Sequence, residues 1–424
     1  MATIKPFKAL RFTESAGKIQ ELVCPPYDII SEEERLAYIK TNPHNIIRLE
    51  LPREGEDFYK KAGEVLADFE KNDVLKTDDT DSIYVYEIGF KNGDVSMAVK
   101  GIICRVELSE FSKGIVLPHE ETLSKAKVDR FNLMNATNCN FSQIYSLYMD
   151  EQRTTDTIIN NATSGAADIE FVDGEGLTQR LWIIKDAAVI SEICDSFKER
   201  KLYIADGHHR YETALNYRNH CRENGAKVGD SVDYVMMMLV SMEHEGLLVL
   251  PTHRIVRDLE SFDKAQILEA CEEYFDIEKF DDVSVASDEL AKKYEQGKKS
   301  FALYTGESGF ELLTLKDESV MKQLLPNNSA AYQQLDVNVL HILILEKLFG
   351  IDKENMANQK NLTYTKFFDE AILAVKNGSA NCSFILNPTR VSEIRDVAGA
   401  GEKMPQKSTY FYPKLITGLV MNKF

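Results

Sequence analysis

The sequence predicts an α+β protein with mixed sheets and flanking helices. Three observations carry this. Residues 82–90 and 95–106 alternate apolar and polar side chains around Lys91-Asn92-Gly93-Asp94, the pattern of a hairpin with an Asn-Gly turn signal. Residues 202–215 pass from a short apolar run through a polar corner into a stretch with helical spacing. Residues 233–242 are apolar without alternation, as in a strand buried on both faces.

Taken in order, Val23-Cys24-Pro25-Pro26-Tyr27-Asp28 is a stiff loop, because two prolines fix φ and remove donors. Ser31, followed by Glu32, Glu33 and Glu34, opens a helix through a capping box. Residues 44–51 read as a strand. Residues 57–74 form an amphipathic helix with Tyr59, Ala62, Val65, Leu66 and Phe69 on one face. Residues 115–122 read as a strand running into a helix start, with Pro118 in the first turn. Strands at 143–148 and 180–184 precede a helix at 190–199, which feeds the strand at 202. The next helix places Tyr211, Ala214, Leu215 and Arg218 on one face and stops at Asn224-Gly225.

Beyond it, a strand at 247–250 leads to His253 and Arg254, which either return to the 202–215 corner or end at the surface. Helices are expected at 263–275, 286–296, 335–348 and 363–377, the last burying Phe367, Phe368, Ala371, Ile372 and Val375. Strands are expected at 300–304, 309–315 and 381–386. The tail 404–414 combines lysines, hydroxyls and aromatics. Pairing of a terminal strand is the simpler account, and closure over a ligand the other. The pattern divides into an N-terminal α+β region (1–110), a phosphate-binding core (111–260) and a C-terminal α+β lobe (261–424), with no internal repeat.

At 424 residues the chain exceeds one ordinary core. Its 44% apolar and 28% charged content is that of a soluble globular protein. A formal charge of −18 argues against non-specific binding to nucleic acid or anionic membrane, which need a cationic face. Seven scattered cysteines without a C-x-x-C pair predict free thiols in a reducing compartment. Met1–Pro6 lacks the apolar run of a signal peptide, and no stretch approaches the length of a membrane span. A cytoplasmic protein is expected.

The chemistry concentrates at Asp206-Gly207-His208-His209-Arg210. Asp206 can cap the helix that follows, and Gly207 lets backbone amides approach a ligand without a Cβ in the way. The helix start carries a partial positive charge, and Arg210 adds a bidentate fork. Together these make an anion cradle, most naturally for phosphate. Ordinary turn-and-cap chemistry explains Asp-Gly alone, but not a carboxylate, two imidazoles and a guanidinium within five residues. Upstream, Pro118-His119-Glu120-Glu121 places two acids ahead of Lys125, Lys127 and Arg130. An anionic substrate that must also lose a proton wants such a layout. The P-loop, the dinucleotide fingerprint, the nucleophile elbow and H-E-x-x-H are all absent from the sequence.

Pro25-Pro26-Tyr27-Asp28, Pro118-His119-Glu120 with Asp129-Arg130, Ala205–Leu215 and Pro405–Lys414 resemble the corresponding stretches of domain-of-unknown-function family 1015. More distantly, the order strand, H-E, helix and then strand, D-G-H-H-R, helix is similar to the ParB/sulfiredoxin superfamily, which includes free-serine kinases. That resemblance implies a ParB/sulfiredoxin-like core, here with large insertions including residues 131–201. It implies that Gly207, His208, His209 and Arg210 hold nucleotide phosphates, with Lys127 and Arg130 as supporting cations. It makes Glu120 the base on a substrate hydroxyl, with Glu121 its competitor. Asp206 is then catalytic or a ligand to Mg²⁺. The function implied is an ATP- or ADP-dependent phosphotransferase acting on a small hydroxyl compound, L-serine first. Two rivals are a nucleotide-binding switch without transfer and a metal-dependent hydrolase using His119, His208, His209 and His253. Oligomeric state is open.

Overall fold

The computed structural model describes residues 1–122, 124–306 and 309–424, without the side chains of residues 124, 125, 283, 284 and 357. The architecture is α+β with mixed sheets. The chain packs as two compact units. Residues 1–118, 122–247 and 413–424 form the first, and residues 119–121 and 248–412 the second.

The first unit is built on a nine-stranded sheet. Its strands are β1 (Ile4–Lys5), β2 (Ile83–Asn92), β3 (Val95–Glu107), β4 (Val116–Leu117) and β5 (Ile144–Tyr148). They continue with β6 (Ile169–Val172), β7 (Thr178–Ile184), β8 (Leu202–Asp206) and β9 (Tyr234–Ser241). The order is β4-β8-β5-β9-β3-β2-β7-β6, with β1 pairing one end of β3. β8 runs parallel to β4 and β9 parallel to β5, and the other neighbours are antiparallel. Strands from residues 1–110 and 111–260 thus share one sheet. The β2–β3 hairpin closes through Gly93-Asp94, with Asn92 opposite Val95 and Gly93 at φ 60°, a value glycine adopts without Cβ strain. Every residue of β9 is buried, as its unbroken apolar run predicts.

Helices α1 (Glu32–Thr41), α2 (Phe58–Lys71), α3 (Ser124–Thr137), α4 (Ala187–Ser196) and α5 (His208–Glu223) belong to this unit. Ser31 and Glu34 make the expected capping box of α1. Met134 of α3, Ile190 and Ile193 of α4, and Tyr211, Ala214 and Leu215 of α5 pack with Ile102, Val235 and Met237 of the sheet. A second core gathers the α2 stripe of Ala62, Val65, Leu66 and Phe69 with Ile47, Leu133, Phe141 and Met421. Burial of each such large side chain contributes roughly 1.5–3 kcal/mol.

Two expectations fail here. Residues 44–51 are not a strand, since Ile47–Glu50 forms a helical turn. Asn45 decides it: its Oδ1 accepts the Ile47 N–H at 2.9 Å, while its amide donates to the Glu21 and Val23 carbonyls. Nor does a helix start at Pro118. β4 covers only Val116–Leu117, α3 begins at Ser124, and Glu120 makes an isolated parallel bridge with Met404 instead.

The second unit holds a six-stranded antiparallel sheet. Its strands are β10 (His253–Val256), β11 (Phe275–Phe280), β12 (Ser300–Tyr304), β13 (Phe310–Leu315), β14 (Leu362–Thr365) and β15 (Cys382–Leu386). The order is β11-β13-β12-β15-β10-β14, with α6 (Val283–Glu295) and α7 (Phe368–Lys376) packing Leu290, Ala371 and Ile372 against it. The helix expected over 363–377 is shorter, because 362–365 pairs with β10 as an edge strand, and Phe367 is exposed. The helix expected at 335–348 is Asp336–Leu340 followed by a π-helical turn, His341–Glu346. Within the tail, Tyr410–Tyr412 pairs with Leu248–Leu250, as a terminal strand would. All seven cysteines are free thiols. No helix among the described residues is long and apolar enough to cross a membrane.

Candidate functional site

The corner between β8 and α5 is where the sequence concentrates its chemistry. Register along β8 slips between Ile204 and Asp206, so that Asp206 lies opposite Tyr145 of β5. Such irregularities re-aim a side chain at the end of a strand. Gly207 then takes φ 96° and serves as the N-cap of α5, with no side-chain cap. Asp206 therefore does not cap the helix as expected. Its carboxylate goes to two cations: Oδ1 accepts from Lys414 Nζ at 2.6 Å and Oδ2 from Arg210 Nη2 at 2.7 Å. Burial pushes the carboxyl up, but Lys414 and Arg210 outweigh it and hold Asp206 well below the ordinary carboxylate range.

Arg210 is equally constrained. Its Nη1 donates to the Gln143 carbonyl at 2.7 Å and to Ser142 Oγ at 3.2 Å. A Cβ at Gly207 would fall 2.9–3.1 Å from the guanidinium, so the absence of a side chain is what lets Arg210 lie across the corner. Past Gly207 the first-turn amides of a 16-residue helix leave its end without intrahelical acceptors. His208 is buried and His209 half-buried in that turn.

A buried ionic chain runs behind Arg210. Ser142 Oγ donates to Glu50 Oε1 at 3.0 Å, and Arg130 Nη1 donates to the Glu50 carbonyl at 2.7 Å. Arg130 also forks onto Asp129 and lies 4.0 Å from the Tyr27 ring centre. Burial raises the Glu50 carboxyl, with Arg130 and Arg210 opposing, and burial pushes the Tyr27 hydroxyl up to about 12. Pro25-Pro26-Tyr27-Asp28 and Asp129-Arg130, far apart in sequence, thus meet. Arg130 serves the protein's own carboxylates here. Lys127 is held one turn into α5, where Glu212 Oε2 accepts from its Nζ at 2.7 Å and from Thr122 Oγ1 at 2.8 Å. The Lys125 side chain lies outside the described residues.

Glu120 and Glu121 belong to the second unit. There, Glu120 Oε1 accepts the Lys407 N–H at 3.2 Å, and Glu121 is exposed. His119 is buried with Nε2 3.0 Å from Thr409 Oγ1. His253 and Arg254 sit inside β10 and are buried, so neither ends at the surface as one expectation had it. His253 Nδ1 accepts the Leu386 N–H at 3.2 Å, and burial brings His253 down to about 4. Among the described residues no three His, Cys, Asp or Glu side chains are grouped to hold a metal ion, so the four-histidine ligand set does not form. The corner does not fit a protein-held Mg²⁺ either, because both Asp206 oxygens already carry a cation.

Lys414 is the member that sequence reasoning missed. It reaches Asp206 across 208 positions, on a C-terminal segment pinned by Gln143 Nε2 donating to the Ile416 carbonyl at 3.1 Å. Bridges of Thr417 to Cys24 and of Asn422 to Asn140 fix it further. The only signal in the sequence was its place at the end of the Pro405–Lys414 motif. Glu212, two residues past Arg210, was missed likewise.

No curated protein matches the sequence. Among solved structures, a conserved hypothetical protein from Pyrococcus furiosus aligns at 14% identity over 75% of this chain and 95% of its own, with a TM-score of 0.34. A free serine kinase in complex with AMP aligns at 15% identity over 76% and 92%, with a TM-score of 0.36. SbnI with a C-terminal truncation, from Staphylococcus aureus, aligns at 11% identity over 75% and 86%, with a TM-score of 0.37. These likenesses are too distant to carry a statement about this chain. The sequence profile described as "Protein of unknown function (DUF1015)" matches residues 4–338, most of the length. The chain belongs to the DUF1015 family.

Proposed function

We propose that this protein is a nucleotide-dependent phosphotransferase acting on a small hydroxyl compound, with ATP as donor and L-serine as the first acceptor to test. The observation that carries the reading is the corner itself. A glycine with positive φ opens a long helix, and a guanidinium and an ammonium are fixed beside it on one carboxylate. Helix-end amides and fixed cations are what a transferring phosphoryl group needs where its charge develops.

In this reading Asp206 is a positioning residue that holds Lys414 and Arg210, and these two side chains supply the charge neutralisation. The acceptor hydroxyl oxygen bonds to the terminal phosphorus of ATP as the bond to the β-phosphate oxygen breaks, releasing ADP. The hydroxyl proton passes to the Glu120 carboxylate, a role carried over from the motif resemblance. A switch that binds nucleotide without transfer is favoured by one feature: both oxygens of the corner's carboxylate are already paired.

The test is an assay of the full chain with ATP and L-serine for ADP and phosphoserine, alongside nucleotide titration by calorimetry. Arg210→Ala should weaken ATP binding at least tenfold. Glu120→Gln should lower turnover at least a hundredfold with ATP affinity within threefold of the parent. ATP binding without any phosphorylated acceptor would establish the switch, and full turnover by Glu120→Gln would remove Glu120 from its role.

A further inference from the structure

The second unit contains a cavity of about 250 Å³ in which a buried hydrogen-bond donor lacks an acceptor. His341, the first residue of the π-helical turn, lines it and is 4% exposed. The His341 Nε2 accepts from Arg254 Nε at 3.3 Å, so in the neutral ring the proton sits on Nδ1. Burial, with Arg254 adding to it, pulls His341 well below its ordinary range and keeps that neutral form. Nδ1 finds no acceptor in the protein.

Arg254 itself is fully buried and has no carboxylate partner among the described residues. It donates to the Thr252 carbonyl and to His341, and its Nη2 is unpartnered. Its guanidinium also lies 5.2 Å from the ring centre of Tyr364, a second residue of the cavity wall. A buried cation without a counter-charge is costly to the protein alone. Here its field reaches the cavity through one imidazole and one aromatic ring. On the wall, Lys353 and Lys403 are balanced by Glu121 and Glu346, so the bias toward an anion comes from Arg254 behind it. Tyr332, Met356 and Met404 supply flat and apolar surface for the body of a ligand. A π-helical turn at such a wall is a frequent mark of a functional site.

We propose that this cavity binds a small organic carboxylate, whose carboxylate accepts from His341 Nδ1–H in the field of Arg254 while its apolar body lies against Tyr332 and Tyr364. This site lies within the second unit and stands whether or not the protein transfers phosphate.

Calorimetric titration of the full chain with benzoate and butyrate, each against its primary amide, tests it. At least one carboxylate should bind saturably and at least tenfold more tightly than its amide. His341→Phe should weaken that binding at least tenfold, and Lys353→Glu, at an exposed position, at least threefold. If His341→Phe does not fold, Lys353→Glu still decides. The proposal is overturned if neither carboxylate binds, if an amide binds equally well, or if Lys353→Glu leaves binding unchanged.

Discussion

Replacing Lys414 with Met removes one of the two cations on Asp206 and leaves a similar apolar stem. The lost contact is 2.6 Å between side chains that are 16% and 23% exposed. Gross Coulomb attraction at such a separation is about 4 kcal/mol at an effective dielectric of 20. Desolvation offsets much of it, and Arg210 remains on the other oxygen at 2.7 Å. The net loss should fall between that of an exposed pair, about 0–1 kcal/mol, and of a fully buried one, about 3–5 kcal/mol. About 2 kcal/mol is expected, or roughly 4–8 °C in Tm for a unit of this size. The pH dependence fixes the cause. Asp206 is held below its unfolded value, so its contribution is complete above pH of about 4 and is lost as pH falls through the folded value. The gap between parent and Lys414→Met should therefore be full at pH 7 and close as pH falls toward about 2. Urea unfolding across that range, with Asp206→Asn completing a double-mutant cycle, measures both. A gap under about 0.5 kcal/mol at pH 7, a gap that persists in acid, or a coupling near zero would refute the reasoning.

The remaining predictions concern the rest of the corner and the ionic chain behind it. Gly207→Ala should cost about 1–3 kcal/mol by thermal unfolding, because φ 96° strains any L side chain and the new Cβ meets the Arg210 guanidinium. It should also reduce ATP affinity, whereas parental affinity would show that Arg210 need not lie across this glycine. Arg130→Met strips Glu50 of a buried partner and should cost about 3–5 kcal/mol. Glu50 is already raised by burial, so the variant's deficit should grow from pH 4 to pH 8 as that carboxyl is forced to ionise, and a pH-independent deficit would point to lost packing instead.

Local chemistry was legible in the chain wherever one segment decided the outcome alone. The capping box at Ser31, the α2 stripe, the β2–β3 hairpin, the uninterrupted β9 and the stop at Asn224-Gly225 all depend on residues within a few positions of one another. So did the corner at Gly207, since a glycine between a strand and a helix is a local signal. What failed was settled at a distance. Asn45 turns residues 44–51 helical only because the carbonyls of Glu21 and Val23 are there to receive its amide. Pro118 starts no helix, because Glu120 pairs with Met404, nearly three hundred residues on.

The candidate site divides along the same line. The sequence by itself determined that an anion-binding corner exists between an apolar strand and a helix, because backbone conformation and helix-end polarity are properties of consecutive residues. Only the tertiary structure decided which charges that corner carries. It brought Lys414 onto Asp206 and bound Arg210 to Ser142 and Gln143. It also drew Arg130 away to Glu50 and Lys127 to Glu212. A side-chain charge acts on whatever lies within a few ångströms, and its neighbours there are chosen by chain packing, which spacing along the sequence does not encode.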